Sequence, residues 1–256
     1  MATVILSACV QVVMLAGPPQ APSGVVVKFE TSDGVTIEAD YYGPKVAAGE
    51  PAPVVICAHM YPADRKSWRP LVGVLQAGPN PPAVLAYDIR GRGGSTEPKS
   101  MKLREKYAAR DPRLFGAAWR DVEAAKAWLA KRRECDVTRV ALVGASIGCS
   151  ISLRYGGRDE NVRAIVCLSP GTNYFGVDSL HDVKKCKTAS ILLIAPEAEY
   201  AAVRKLIEAS QDRARGQKMP GGAERHGTNL FAADYERRDS VLGDIAKFVG
   251  DGLKDK

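Results

Sequence analysis

Three residue types that together perform acyl transfer occur in this chain at informative positions. The stretch "VALVGASIGCSISL" (140–153) runs strand-forming apolar residues into Ser146, which stands between Gly144 and Gly148. "GASIG" fits G-x-S-x-G, and its place between an expected strand and an expected helix is the context of a nucleophile elbow. Glycines at the first and last positions suit a turn too sharp for a Cβ, and the serine then projects alone into a crevice. The helix that follows presents the amide of Ile147 to developing negative charge. The competing reading is a tight strand-to-helix connection with an incidental serine.

A serine nucleophile needs a base, and the chain offers three histidines, His59, His181 and His226. His226, in "AERHGTNLF", lies in a loop before the final helix, where the histidine falls when the chain order is serine, acid, histidine. The competing reading for it is a surface histidine in a flexible loop. His59 ends a strand ahead of the serine and suits a structural or oxyanion-loop role, and His181 is held in reserve. For the acid that orients the histidine, Glu197, Glu199 and Asp178 all follow strands. Residues 197 and 199 leave the same strand two positions apart, so an extended backbone would put both on one side.

These side chains must be positioned by a regular frame. "GVVVKFETSDGVTIEADYY" alternates apolar and polar residues about Ser32-Asp33-Gly34 and predicts an N-terminal antiparallel hairpin. "APVVICAH" (52–59) and "AVLAYDIRGRGGS" (83–95) hold the continuous apolar runs of strands covered on both faces. Between them, Trp68, Leu71, Val72 and Leu75 recur at helical spacing, with Gly78 as the stop. Residues 97–113 are polar and irregular, and "FGAAWRDVEAAKAWLAKR" then predicts one amphipathic helix. "TRVALVG", "VRAIVCLSP" and "ASILLIAPE" predict strands. "IGCSISLRYGG", "EYAAVRKLIEASQ" and "DSVLGDIAKFVGDGL" predict helices. Strands separated by single helices give a mostly parallel, doubly wound α/β sheet with right-handed crossovers. Polar residues at the carboxyl ends of such strands line the functional crevice.

Located in this way, the segments resemble the α/β-hydrolases, and in style the small dienelactone-hydrolase-like serine hydrolases. The resemblance covers about residues 25–254. "VVICAHMYPADRKSW" is similar to the family's strand and oxyanion loop, "VLAYDIRGRGGS" to its Asp-x-Arg-Gly-x-Gly-x-Ser segment, and "VALVGASIG" to its nucleophile elbow. "ILLIAPEAEY" is similar to the strand whose exit carries the acid, which puts Glu199 at that position. The resemblance therefore implies a serine hydrolase with Ser146 as nucleophile, His226 as base, Glu199 as acid, and the amides of Tyr61 and Ile147 as the oxyanion hole. It implies no cofactor and no metal. Three departures stand out: Met60 where the family often has glycine, glutamate in place of aspartate, and serine rather than cysteine at 146. The short stretch 171–189 leaves no room for a large lid and favours small or extended acyl substrates.

Composition narrows the remaining classes. The 256 residues are 46% hydrophobic and 25% charged, with 24 glycines and 16 prolines, as in a soluble globular domain. The formal charge of +7 is scattered through segments such as "AKRRE" without a basic run, so no nucleic-acid partner is expected. Neither "HMYPAD" nor "GRGGS" supplies the G-x-G-x-x-G of a dinucleotide-binding oxidoreductase. Six cysteines form no C-x-x-C pair, and Cys57, Cys149 and Cys167 lie in apolar core contexts. Residues 1–24 are expected to be an apolar leader with a flexible exit. "TVILSACVQVVMLAG" has the length of a signal-peptide core, and "LSAC" resembles a bacterial lipobox that would lipidate Cys9. Export and possible membrane attachment through this segment are the expectation, with a cytoplasmic location as the alternative. The partner expected is a small acyl substrate. A non-catalytic binding protein of this fold, or a peptidase or thioesterase, are the alternatives, and no oligomeric state is assigned.

Overall fold

The computed structural model describes residues 23–44 and 50–254. Residues 1–22 of the expected leader segment, including Cys9, therefore lie outside the described residues. In chain order the elements are β1 (Val25–Glu30), β2 (Thr36–Tyr42), β3 (Ala52–Ala58), α1 (Arg69–Leu75), β4 (Ala83–Tyr87), α2 (Leu103–Ala108), α3 (Pro112–Ala117) and α4 (Trp119–Leu129). After them come β5 (Cys135–Ala145), α5 (Ile147–Gly156), β6 (Val162–Leu168), β7 (Asn173–Tyr174), β8 (Val177–Asp178) and α6 (Ser179–Val183). The chain closes with β9 (Ser190–Pro196), α7 (Tyr200–Ala209), β10 (Ala214–Met219) and α8 (Arg238–Leu253).

Eight strands form one sheet in the order β1-β2-β4-β3-β5-β6-β9-β10, and β7 with β8 makes a separate small hairpin. The β1–β2 and β2–β4 pairs are antiparallel, and every pair from β3 to β10 is parallel. Alternation of side chains across β3 divides the core in two. Val54, Ile56 and Ala58 face a cluster built with α4, α5 and α7. Val55 and Cys57 face a second cluster with Leu71 and Val72 of α1 and Val241, Ile245 and Val249 of α8. Both faces of the central strands are therefore apolar, which is why they appear in sequence as unbroken runs. Cys57, Cys135, Cys149, Cys167 and Cys186 are free thiols buried in this core.

Four local expectations change. The region from 97 to 113 is not irregular: α2 forms there, and α3 begins at Pro112 with Asp111 accepting a hydrogen bond from the Arg113 amide at 2.7 Å. These helices are six residues each, too short for periodicity to register. The single helix expected from Phe115 onward is two, broken at Ala118 between α3 and α4. α1 ends at Leu75 rather than at Gly78, because Gln76 caps it and donates its side-chain amide to the Pro82 carbonyl at 2.7 Å. β10, "ARGQKM", is a polar edge strand paired on one side to β9, so it carries no apolar pattern to find.

Candidate active site

Apolar β5 delivers Ser146 at its carboxyl end, in the middle of the sheet. Ser146 has φ 53° and ψ −118°, backbone values that cost a residue with a Cβ about 1–3 kcal/mol. The surroundings enforce them. The Ser146 amide donates to the Leu168 carbonyl at 2.9 Å, and the Cys149 amide donates back to the Ser146 carbonyl at 2.9 Å. A Cβ on Gly144 would lie 2.4 Å from the Gly148 carbonyl oxygen, and one on Gly148 would lie 2.1 Å from that of Ala58. The two glycines therefore let β5, α5 and the end of β3 close on one another. Ser146 precedes the first residue of α5, so the Ile147 amide is among the N–H groups that a helix leaves without internal acceptors.

The exit of β3 is braced by His59, which is fully buried. Its Nε2 accepts from the Ile89 amide at 3.0 Å, so the proton sits on Nδ1, which donates to the Met60 carbonyl at 2.8 Å. Burial holds its pKa below the usual histidine value. Fixing the Met60 carbonyl also aims the Tyr61 N–H, since the two belong to one trans peptide and point in opposite directions. The "YDIRGRGGS" segment is structural in the same sense. Buried Asp88 pairs with Arg65 and accepts from the Gly94 amide at 3.1 Å, while buried Arg90 pairs with Asp121 at 2.8 Å and Asp33 at 2.7 Å.

Two further strand ends bring up the remaining groups. Glu199 follows β9, and its Oε1 lies 2.8 Å from Nδ1 of His226, in the loop after β10. Partial burial works to raise the Glu199 pKa, but the hydrogen bond and charge of His226, with the nearby Ser169 hydroxyl, outweigh it and hold the carboxyl below the ordinary glutamate value. Ser169 does not reach Oε2, which is buried without a hydrogen-bond partner. With Nδ1 committed to Glu199, Nε2 is the ring nitrogen left for other chemistry. The expected extended exit of β9 is replaced by a 3-10 turn over Glu197–Glu199, which sends the two carboxylates to different sides. Glu197 is exposed and pairs with Lys218 at 2.8 Å. Asp178 caps α6 by accepting from the His181 amide at 3.0 Å, and the His181 side chain is exposed on that helix.

Ser169, Tyr174 and an aromatic wall are site neighbours that the sequence motifs do not mark. Ser169, at φ 51°, is fully buried; its amide donates to the Ile194 carbonyl at 2.7 Å, and its hydroxyl accepts from the Gly227 amide at 2.9 Å. Adjacent residues 168 and 169 thus hold the backbone of Ser146 and the loop of His226 together. Tyr174 stands edge-on to His226 with ring centroids 6.3 Å apart. Next to it, Phe175 packs on Tyr61 and Phe115, and the Arg110 guanidinium lies 4.9 Å from the Tyr61 ring. The only sequence signal for this wall is the turn-like "NYFG", inside a stretch that reads as a plain linker.

A serine on a strained strand-to-helix turn, with a histidine–carboxylate pair after later strands of a mostly parallel sheet, defines the class of α/β-hydrolases. The sequence profile of the alpha/beta hydrolase family matches residues 54–251, so the chain belongs to that family and is a hydrolase. No curated protein matches significantly by sequence. Among solved structures it is similar to an esterase of Pyrococcus furiosus, at 16% identity and TM-score 0.69, covering 95% of this chain and 97% of that one. It is also similar to a dienelactone hydrolase of Anabaena variabilis, at 20% identity and TM-score 0.69, covering 91% and 100%. An acylaminoacyl peptidase of Pyrococcus horikoshii aligns at 14% identity and TM-score 0.71 over 91% of this chain and 42% of the peptidase. At these identities the likeness is one of fold.

Proposed function

We propose that this protein is a serine hydrolase of ester or related acyl bonds. Ser146 is the nucleophile, His226 the general base, and Glu199 the acid that fixes the imidazole tautomer and stabilises its protonated form. The amides of Tyr61 and Ile147 receive the oxyanion. The Ser146 hydroxyl proton passes to His226 Nε2 as Oγ bonds to the acyl carbon. His226 then returns the proton to the leaving group as its bond to that carbon breaks. Water repeats the sequence on the acyl-enzyme and frees Ser146. No cofactor enters these steps.

The observation that carries this reading is the 2.8 Å Glu199–His226 bond, made by a loop tied through Ser169 to the strand end that holds Ser146. The test is labelling of the intact chain with a fluorophosphonate, with the adduct located by mass spectrometry. Modification at Ser146, lost in Ser146→Ala, is the expected result. A folded chain that takes no label and cleaves none of a panel of acyl p-nitrophenyl esters is instead a binding protein of this fold. Aminoacyl amides and thioesters in the same panel separate esterase from peptidase and thioesterase. We also propose export, on residues 1–24 and the "LSAC" motif. Cell fractionation, with lipid labelling of Cys9 compared against Cys9→Ser, tests it.

A further inference from the structure

An unpaired cation stands over the aromatic wall beside the site. α2 ends in a turn in which the Arg110 amide donates to the Tyr107 carbonyl at 3.0 Å and the Asp111 amide to the Lys106 carbonyl at 2.9 Å. That pattern puts residue 110 in the left-handed region, where a helix end usually carries glycine. Here it is an arginine at φ 54°. Two rings hold its side chain: the guanidinium carbon lies 4.9 Å from the Tyr61 ring centroid and 5.4 Å from that of Phe175, within the range of a cation–π contact. The rings are themselves braced. Phe175 packs on Phe115 at 4.8 Å, and the hairpin tip at Gly176 comes so close to α3 that a Cβ there would lie 2.8 Å from the Pro112 side chain. A guanidinium that rests on ring faces keeps its in-plane N–H fork for other partners. Among the described residues that of Arg110 has no carboxylate partner and donates no hydrogen bond. Its surroundings are basic, since residues 99–113 hold six Lys and Arg against two acids, Glu105 and Asp111, and among the described residues none of the six makes an ion pair.

We infer that Arg110 is a specificity-determining residue that binds a carboxylate on the acyl group, so that the substrates of this site are monoesters of dicarboxylic acids. The inference rests on the serine-hydrolase reading above and names its substrate class. Position assigns the anion to the acyl half. Tyr61 supplies both the N–H proposed for the oxyanion and the ring on which Arg110 lies, so one side chain separates the two binding groups. The leaving group must instead reach His226 Nε2. Ring centroids run from His226 to Tyr174 to Phe175 in two steps of 6.3 Å, and Arg110 lies at the far end of that series. An acyl chain of a few methylenes spans from Ser146 to the guanidinium, where its carboxylate accepts two parallel N–H···O bonds. Contact with the rings holds the guanidinium before substrate arrives, so less side-chain freedom is lost on binding. The left-handed backbone then has a function, because glycine would fit the turn better but carries no charge. The bonds made and broken at Ser146 are those given above, and Arg110 touches only the far end of the substrate.

The test compares hydrolysis of monoethyl adipate, whose second carboxyl is free, with that of the neutral isostere in which this carboxylate is a primary amide. Ethanol release is measured for the intact chain, Arg110→Gln and Arg110→Gly. Glycine relieves the left-handed backbone, so that variant keeps the fold, and thermal melts check both. The wild type should favour the anionic ester by about tenfold in kcat/KM at low ionic strength, chiefly through KM, and the preference should shrink with added salt. Both variants should lose the preference, while their kcat/KM for the neutral ester stays within about threefold and fluorophosphonate still labels Ser146. A wild type without the preference overturns the inference, as does a preference that survives in both variants. A merely structural role would lower both substrates together, which also overturns it. If the wild type takes no label at Ser146 and cleaves neither ester, the serine-hydrolase reading itself fails. If it takes the label but cleaves neither ester, or cleaves both alike, only the substrate class and the role of Arg110 are wrong.

Discussion

Glu199 Oε1 and His226 Nδ1 lie 2.8 Å apart although 27 positions separate the residues in sequence. The pair forms because β9 and β10 are parallel neighbours whose exits open on the same side of the sheet. Glu199 ends a 3-10 turn immediately before α7, and His226 follows a 3-10 turn of its own. With Nδ1 donating to the carboxylate, Nε2 is an acceptor, the form that a general base requires.

Glu199→Gln should therefore cut kcat by about three to four orders of magnitude, the scale on which loss of tautomer control and of the compensating charge is felt. Glu197→Gln, whose carboxylate meets exposed Lys218, should leave kcat within about twofold. Steady-state hydrolysis of p-nitrophenyl acetate distinguishes them. A large loss in Glu197→Gln with Glu199→Gln close to wild type would move the acid to Glu197.

His226→Ala should lower turnover by about four to six orders of magnitude, as removal of one member of a triad does. His181→Ala should leave it close to wild type, since that side chain is exposed on α6. Exchange of the two outcomes in the same assay would reassign the base.

The strain at Ser146 separates stability from activity. Ser146→Gly relieves a positive-φ position and should stabilise the chain by about 1 kcal/mol while abolishing hydrolysis. Denaturant melts beside the ester assay check both arms. A Ser146→Gly chain less stable than wild type would mean that the hydroxyl contributes more than the strain costs.

Gly148→Ala places a methyl group 2.1 Å from the Ala58 carbonyl oxygen, between α5 and β3, where neither backbone has room to retreat. It should destabilise by about 3 kcal/mol or more. Gly243→Ala, on α8 with open space around its Cβ, is the control and should stabilise by about 0.5–1 kcal/mol. Chemical melts of both variants at fixed pH make the comparison.

Asp33 sets an acid limb. Burial works to raise its pKa, but hydrogen bonds from Arg90 and Thr31 and the Arg90 charge outweigh it and hold the carboxyl at about 2, below the unfolded value. A depressed carboxyl gives its stabilisation above the unfolded pKa, and loses it as pH falls from about 4 through about 2. Asp33→Asn should thus be less stable than wild type at pH 7, and the gap should narrow as pH falls through that window. Because a third of the side chain is exposed, solvent screening keeps the effect modest. Thermal melts from pH 7 to pH 2 measure it.

By itself the sequence determined the central frame and the serine. Unbroken apolar runs such as "VVICA" and "VALVGA" require burial on both faces, and that demand is local enough to predict parallel strands covered by helices. The glycines at 144 and 148 announce the turn because only the absence of a Cβ allows it. Of the three candidate acids, the resemblance points to Glu199, while the residues alone leave Glu197 level with it. That tie is broken by the 3-10 turn at 197–199, a hydrogen-bonding choice that extended alternation does not foretell. β10 carries no apolar signature because an edge strand needs one neighbour rather than an apolar face. Ser169 and Tyr174 became site neighbours only through long-range contacts, with Gly227 58 positions away and with the ring of His226. Local pattern encodes which faces of each element are buried, whereas the meeting of strand exits depends on sheet order, and sheet order is settled only when the whole core packs.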